Sequence, residues 1–206
     1  RLGVIPAASS TVARITDPFC ADHPLVRVQV ETSLRSADIT ARVRRFELDA
    51  GVIYPDPQDT EGLTITELYE ERQVLLAGGD LLAGRTDSIG WSDALELPMC
   101  LLTPGMRGRR LIDEALADRG LAVIPRLESD SVVVLLTHVA TGRWATVVPQ
   151  TWLDALPPPA GVRALTLDGP PVTARVVLVT NAAQPGSVLA RALIQTAKDM
   201  SSSKGP

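Results

Sequence analysis

Residues 23–54 carry the clearest pattern of apolar and polar positions in the chain. Apolar side chains alternate with polar ones over residues 26–30, which predicts a strand. A hydroxyl-rich turn then leads into apolar positions at helical spacing, which predicts an amphipathic helix with Ser36 as N-cap and Phe46 on its buried face. Residues 50–54 predict a second strand. The segment therefore reads as a βαβ unit, and α/β proteins hold ligands beyond the carboxyl ends of such strands.

The same patterns predict alternating strands and helices along the rest of the chain. Further strands are expected at residues 2–5, 63–77, 99–102, 122–124, 144–148, 162–167 and 172–180. Further helices are expected at residues 9–22, 111–119, 129–140 and 186–200. Pro18 should kink the first helix or restart it after Asp17. The βαβα order occurs once before Gly78-Gly79 and once after it, which predicts two similar α/β lobes joined by a hinge.

Composition is that of an ordinary globular chain and argues against several classes of protein. The 206 residues are 45% apolar but only 3% aromatic, so the core must be aliphatic. The net charge of −4 gives no electrostatic case for nucleic-acid binding by this chain. No apolar run is long enough to cross a membrane, and no signal peptide is visible. Because the chain starts at Arg1 without a methionine, we expect it to be a fragment, and residues 201–206 a disordered tail.

Sequence motifs give no indication of an enzyme, a cofactor or a metal site. There is no G-x-S-x-G elbow, no P-loop and no G-x-G-x-x-G fingerprint. The two histidines lack a second ligand at metal-binding spacing. Cys20 and Cys100 are far apart in sequence and are expected to be buried and reduced.

A series of segments, taken in order, resembles a known family. The segments are GVIP, HPLVRVQV with its hydroxyl-rich turn, FELDAGVIY, LYEERQVLL, THVATGRWATVVP and ARVVLVT. They are similar to the effector-binding domain of LysR-type transcriptional regulators, from about Leu2 to Met200. The HP…ELDAG combination and LYEERQVLL are the most specific parts, and it is the ordered set that carries the resemblance.

The resemblance implies a fold like that of type 2 periplasmic binding proteins, with two Rossmann-like lobes joined by a two-strand hinge. Lobe I would comprise residues 1–78 with 180–200, and lobe II residues 79–179. It also implies a winged helix-turn-helix before this chain, which is absent from the sequence. The segments MCLLTPGMRGRRLID and GRWATVVP further resemble a subgroup associated with formate dehydrogenase operons.

The implied function is that of a ligand-sensing and oligomerisation domain in the cytoplasm. A small-molecule effector would bind between the lobes, change the lobe angle and alter how dimers pair within a tetramer. Copies would form homodimers or homotetramers through the lobes. DNA would be bound only through the absent N-terminal domain, and no membrane, cofactor or metal would take part. Because helix N-termini favour anions, the effector is expected to be a small anion or carboxylate.

Ligand contacts are expected where helices start and strands end. The expected residues are Ser9, Ser10, Thr32, Ser33, Ser36, Tyr54, Thr103, Arg109, Ser131 and Trp144. Thr32, Ser33 and Tyr54 would line the rim, and the arginine would balance an anionic ligand. Many family members carry Ser or Thr where this chain has Ala7 and Ala8, which shifts the expected contact to the serines that follow.

Structural roles compete with these functional ones. The serines could be plain N-caps that contribute about 1 kcal/mol each. Trp144 could be a core residue, and Arg109 a solvated surface residue. An extracytoplasmic solute-binding protein of the same fold is the alternative function, and a lipoprotein signal at the N-terminus would favour it.

Overall fold

The computed structural model describes residues 1–82, 84, 87–183 and 187–202. These residues form two compact units. Unit 1 comprises Arg1–Glu70 together with the chain from Arg175 onward, and unit 2 comprises Glu71–Ala174. The predicted lobe limits near residues 78 and 180 fall inside two strands that run from one unit into the other.

Unit 1 is built on a small sheet flanked by helices. Its strands are β1 (Leu2–Val4), β2 (Val30–Glu31), β3 (Ala50–Ile53), the first part of β4 (Leu63–Gly78) and most of β10 (Thr173–Asn181). Strand β1 lies between β2 and β3 and is parallel to both, whereas β10 is antiparallel to β3. A 3-10 turn at Pro6–Thr11 precedes helix α1 (Ala13–Asp22), and helices α2 (Ser36–Arg44) and α7 (Val188–Ser202) complete the unit.

Glycines in β1 and β3 let helix α2 approach the sheet closely. A Cβ atom on Gly51 would lie 2.2 Å from Cγ2 of Ile39, and one on Gly3 would lie 2.6 Å from Cδ1 of Leu48. Because no side chain fits there, the buried face of α2 rests directly on the strands. Because β1 is parallel to both β2 and β3, the carboxyl ends of the three strands lie along one edge of this unit.

Unit 2 is organised around the second half of β4, which pairs with a strand on each side. Its strands are β5 (Ser88–Ile89), β6 (Cys100–Leu102), β7 (Leu127–Ser129), β8 (Ala145–Pro149) and β9 (Val162–Leu167). Strands β8 and β9 are both antiparallel to β4, β5 is parallel to β9, and β6 is parallel to β7. Its helices are α3 (Trp91–Leu95), α4 (Arg107–Ala117), α5 (Val132–Val139) and α6 (Gln150–Ala155), and a 3-10 turn spans Gly79–Leu82.

Alternate residues of β4 bury two separate apolar clusters. Leu75 packs in one cluster with residues of α3 and α4, and Leu76 packs in the other with residues of α5 and α6. Gly78 ends the strand where a Cβ atom would lie 2.1 Å from the carbonyl oxygen of Gly142. This buried glycine is therefore explained by close backbone contact, and not by the flexible joint that the Gly-Gly pair suggested.

Two predictions about the first βαβ unit are wrong at its ends. Of the strand predicted over residues 26–30 only Val30 lies in a regular strand, β2, because β2 is an edge strand and the chain before it starts with a turn at His23. Phe46 is 62% exposed and has a φ of +58°. The helix has already ended at Arg44, so the side chain leaves the buried face.

Pro18 lies inside helix α1, so of the two predicted alternatives the helix does not restart after Asp17. Two other local predictions need correction. The predicted strand at 122–124 is irregular and Ile124 is 94% exposed, because residues 127–129 pair with β6 instead. Ser201 and Ser202 belong to α7 and not to a disordered tail, and residues 203–206 lie outside the described part of the chain.

The two cysteines have opposite environments. Cys20 is exposed on α1, contrary to the prediction that both would be buried, whereas Cys100 is buried in β6. Burial raises the pKa of the Cys100 thiol to about 11. The Cys100 thiol is therefore neutral at physiological pH, which makes it a poor nucleophile.

Candidate functional site

The edge of unit 1 at which its parallel strands end collects several of the predicted ligand residues. The chain leaves β1 into the turn that contains Ser9 and Ser10. It leaves β2 into residues 32–35 and then into α2, which starts at Ser36. Because β1 and β2 are adjacent and parallel, both connections lie at the same edge. This unit 1 edge is the arrangement in which α/β proteins bind small molecules.

Two serine hydroxyls at the unit 1 edge are buried without a partner. Neither Ser10 Oγ nor Ser36 Oγ has a hydrogen bond to any part of the chain that the structure describes. Ser36 is only 3% exposed, so the hydroxyl is almost fully desolvated. A buried hydroxyl left unpaired costs about 1–3 kcal/mol. A ligand with polar atoms would recover that cost.

The start of helix α2 adds a positive electrostatic end to the same edge. Arg35 is the N-cap in an extended conformation, and no side-chain hydrogen bond caps the helix among the described residues. The prediction that Ser36 is the N-cap is therefore wrong: it is the first helical residue. The first-turn N–H groups carry the positive end of the helix dipole, which favours an anion.

The remaining predicted residues of unit 1 have different environments. Ser9 Oγ donates to the carbonyl of Pro6 at 2.8 Å, so its hydroxyl proton is used inside the turn. Thr32 and Ser33 are exposed, and Ser33 has a φ of +64°, a conformation that costs a non-glycine residue about 1–2 kcal/mol. Tyr54 is 2% exposed, so it lies in the core and not at the expected rim.

In unit 2, Thr103 and Ser131 follow two paired parallel strands. Thr103 comes directly after β6 and Ser131 is the N-cap of α5, two residues after β7. The backbone N–H of Thr103 donates to the carbonyl of Ser129 at 3.0 Å, and the N–H of Ser131 donates to Ser129 Oγ at 3.1 Å. The structure thus places both residues at one edge of unit 2. Ser129 is not among the residues predicted from the sequence, although a serine two residues before an N-cap is a recognisable turn signal.

Arg109 is buried in an ion-pair network and is 6% exposed. Its Nε donates to Asp113 at 2.8 Å, and its Nη1 donates to Glu128 at 2.7 Å and to the carbonyl of Leu102 at 2.8 Å. Burial lowers the pKa of Arg109, but the hydrogen bonds and charges of the two carboxylates outweigh it and hold the pKa above its ordinary value. The interpretation as a solvated surface arginine is therefore wrong.

Trp144 is half-buried in unit 2 and packs against the cluster formed by α5 and α6. The ring of His138 meets it edge-on at a centroid distance of 5.6 Å, and the guanidinium of Arg126 lies 5.9 Å from its centroid. The structure therefore gives Trp144 a packing role and leaves part of the ring accessible.

Neither a metal-binding cluster nor a membrane-spanning helix is found among the residues that the structure describes. Within them, no group of three or more His, Cys, Asp or Glu side chains is arranged to hold a metal ion. None of the helices they form combines the length and the apolar character that a membrane span requires.

Comparison with known proteins matches residues 1–202 to the family described as the LysR substrate binding domain. The phosphonates import ATP-binding protein PhnC of Anaeromyxobacter dehalogenans is 26% identical over 187 residues, 89% of this chain and 37% of that protein. The probable nitrogen assimilation transcriptional activator of Synechococcus elongatus is 29% identical over 170 residues, 80% of this chain and 54% of that protein. The chain thus spans between about a third and a half of these two curated relatives.

A solved structure shares the fold over the full length of the chain. The regulatory domain of CcmR from Synechocystis PCC6803, in complex with 2-PG, has a TM-score of 0.84 at 20% identity. The match covers 99% of this chain and 97% of that one. Together with the family match, it confirms the predicted α/β fold class of type 2 periplasmic binding proteins.

Proposed function

This chain belongs to the LysR substrate binding domain family, and on that premise we propose that it senses a small-molecule effector for a LysR-type transcriptional regulator. The effector binds at the unit 1 edge, where β1 and β2 end. The buried, unpartnered hydroxyls of Ser10 and Ser36 are the observation that carries this proposal. A regulatory domain of the same fold holds the small molecule 2-PG, which supports a sensing role.

The effector is a small anion or carboxylate. The start of α2 has no side-chain cap among the described residues, so its N–H groups are available to a ligand. They offer hydrogen bonds and a partial positive charge, and the Ser36 hydroxyl lies in the same first turn. A carboxylate has enough acceptor positions to satisfy these donors together.

Binding is non-catalytic and acts on transcription through assembly. The Synechococcus elongatus relative is a probable transcriptional activator, and this chain spans about half of it. The effector biases how homodimers pair within a tetramer and so changes DNA binding by an N-terminal domain in the cytoplasm. It does this only if it binds one assembly more tightly than the other. The formate dehydrogenase subgroup remains a prediction from the sequence.

Thermal-shift titration tests the proposed function. The chain is titrated with formate, acetate, 2-PG and amino acids, and a tight ligand raises the melting temperature by mass action. Ser36→Ala should lower the affinity for the best compound about 3- to 10-fold, because one hydrogen bond contributes about 0.5–1.5 kcal/mol.

The matched control is Ser92→Ala, because Ser92 is an exposed serine in the first turn of helix α3. Its affinity should equal that of the unmodified chain. An uncharged best ligand would exclude the anion part of the proposal. Equal affinities of the Ser36→Ala and Ser92→Ala variants would show that the effector does not contact the unit 1 edge through this hydroxyl.

A further inference from the structure

Strands β6 and β7 form a small parallel pair whose ends must be kept together. The register places Leu101 opposite Glu128 and Leu102 opposite Ser129. The next residues along each strand lead to Thr103 and Ser131, both predicted ligand residues. Each strand has only three residues, so the ladder alone gives these connections little support.

Ser129 connects the two strand ends through two different atoms. Its carbonyl accepts the N–H of Thr103 at 3.0 Å, which closes the pair of strands. Its hydroxyl accepts the N–H of Ser131 at 3.1 Å, which fixes the turn into α5. One residue therefore sets the backbone position of both Thr103 and Ser131.

Arg109 holds the same pair from helix α4. Its Nη1 donates both to the carbonyl of Leu102, at the end of β6, and to Glu128 in β7. Its Nε donates to Asp113 on its own helix. A guanidinium is a rigid fork that can serve several acceptors at once, whereas a lysine ammonium is a single point charge. The side chain therefore links the ends of both strands to α4.

We propose that Arg109 and Ser129 are positioning residues that hold Thr103 and Ser131 in the geometry for effector recognition. The inference rests on the proposed function, because it requires a small-molecule effector, and it adds Thr103 and Ser131 as contacts that the sequence predicts. It replaces the expectation that Arg109 itself binds the ligand, since its Nε and Nη1 already donate to protein acceptors. The physical reason is that a ligand site displaced by even an ångström loses much of its interaction energy.

Amide hydrogen exchange of the chain without ligand tests the positioning directly. In Ser129→Ala, the N–H of Ser131 should exchange about 5- to 10-fold faster, because its acceptor is removed. The N–H of Thr103 should change less, since its acceptor is the carbonyl of Ser129. In Arg109→Lys, the N–H of Thr103 should exchange faster. Unchanged exchange of both amides in both variants would overturn the inference.

The second readout is a binding affinity. It is measured for the compound of the thermal-shift panel that raises the melting temperature most. Ser129→Ala and Arg109→Lys should each weaken binding about 3- to 10-fold. Ser129→Thr retains the hydroxyl and should bind the compound with the affinity of the unmodified chain. Arg110→Lys is the control, because Arg110 is the exposed neighbour on the same helix, and its affinity should equal that of the unmodified chain.

Loss of stability without loss of affinity would reduce both residues to structural roles and overturn the proposal. The outcome is distinguishable from failure of the proposed function. If no compound in the panel binds, the proposed function fails, while the exchange rates still decide whether Ser129 and Arg109 hold Thr103 and Ser131. If Ser36→Ala binds normally but Ser129→Ala does not, only the assignment of the unit 1 edge fails.

Discussion

In both units, parallel strands end at one edge beside the start of a helix. The two edges differ in whether their polar side chains have hydrogen-bond partners within the protein. In unit 1, Ser10 and Ser36 place buried hydroxyls at the edge without a partner among the described residues. In unit 2, Ser129 and Arg109 satisfy the corresponding positions with hydrogen bonds inside the protein. Unpaired buried groups oppose folding, whereas paired ones support it. The comparison concerns these residues alone, because Arg107 Nε at the start of α4 is also buried without a partner among the described residues. Ser10 and Ser36 have unused hydrogen-bonding capacity, whereas Ser129 and Arg109 use theirs inside the protein.

Helix ends give a second comparison between the units. In unit 1, the N–H of Phe46 donates to the carbonyl of Val43, and the N–H of the next residue donates to the carbonyl of Arg42. In unit 2, the N–H of Gly120 donates to the carbonyl of Ala117, and the N–H of the next residue donates to the carbonyl of Leu116. Both residues have positive φ, +58° and +67°. The same helix-ending motif is thus made with a strained residue in one unit and with glycine in the other.

Removal of Arg109 should have the largest effect on stability. Arg109→Met leaves the carbonyl of Leu102 and two carboxylates without their donor, and should lower the free energy of unfolding by about 2–3 kcal/mol. The figure stays below that of a fully buried pair because Asp113 and Glu128 are each 41% exposed. Urea denaturation measures it, with the exposed neighbour Arg110→Met as control, expected within about 0.5 kcal/mol. Equal losses in the two variants would contradict the network.

The two cysteines should differ in their response to alkaline pH. The folded state raises the pKa of Cys100 from 9.0 to about 11 and so favours the neutral thiol. The stability that the neutral Cys100 thiol contributes to the folded state is fully present below pH 9 and is lost as pH rises towards 11. At pH 10.5 the loss in free energy of unfolding should be about 2 kcal/mol. The unmodified chain should therefore lose about that much more stability than Cys100→Ala between pH 8 and pH 10.5, as measured by chemical denaturation.

Cys20→Ala is the matched control for that measurement, because Cys20 is exposed. It should lose as much stability over the same pH range as the unmodified chain. If both alanine variants behaved like the unmodified chain, burial of Cys100 would not account for any alkaline loss.

Serine-to-alanine substitutions should have opposite consequences at the two edges. Ser129→Ala removes the acceptor of the Ser131 N–H and should cost about 1 kcal/mol of stability. Ser36→Ala removes an unpaired buried hydroxyl and should leave stability unchanged or raise it by up to about 1 kcal/mol. Thermal and urea unfolding of the ligand-free chain measure both. A loss of stability in Ser36→Ala would show that its hydroxyl is already satisfied.

The helix ends should give the smallest effect. Phe46→Gly removes the strain of a positive φ at an exposed residue, but glycine also raises the entropy of the unfolded chain. The difference should stabilise the folded chain by about 0.5–1 kcal/mol. Gly120→Ala should destabilise it by about 1 kcal/mol for the converse reason. The difference in urea midpoint measures both. A loss of stability in Phe46→Gly would mean that its ring makes contacts that outweigh the strain.

Much of the fold could be predicted because the relevant signals are local. The alternation over residues 63–77 predicted the long strand β4, and the apolar spacing near Leu111 predicted α4. The signals failed where a local pattern met a competing contact. The apolar run at 122–124 resembles a strand, but the partner strand β6 pairs with residues 127–129. A sequence pattern contains no information on which of two short segments finds the partner.

For the candidate site, the structure shows only that the predicted residues Ser10 and Ser36 have buried, unpartnered hydroxyls, and ligand binding by them stays a prediction. Ser10 and Ser36 were expected near a ligand because helix starts and strand ends are recognisable in sequence. Arg109 was expected as a ligand contact, and its three acceptors become visible only once α4 lies against β6 and β7. Ser129 was not expected, since its role depends on a parallel pairing between residues 27 positions apart.

The sequence by itself determined the alternation of strands and helices, the aliphatic core and the family resemblance, because periodicity and ordered motifs are local properties of the chain. Only the tertiary structure decided which polar groups are satisfied. Burial and pairing depend on residues distant in sequence, so Ser36 and Ser129 look alike in the chain yet differ in the fold. That difference separates a hydroxyl available to a ligand from one that holds the protein together.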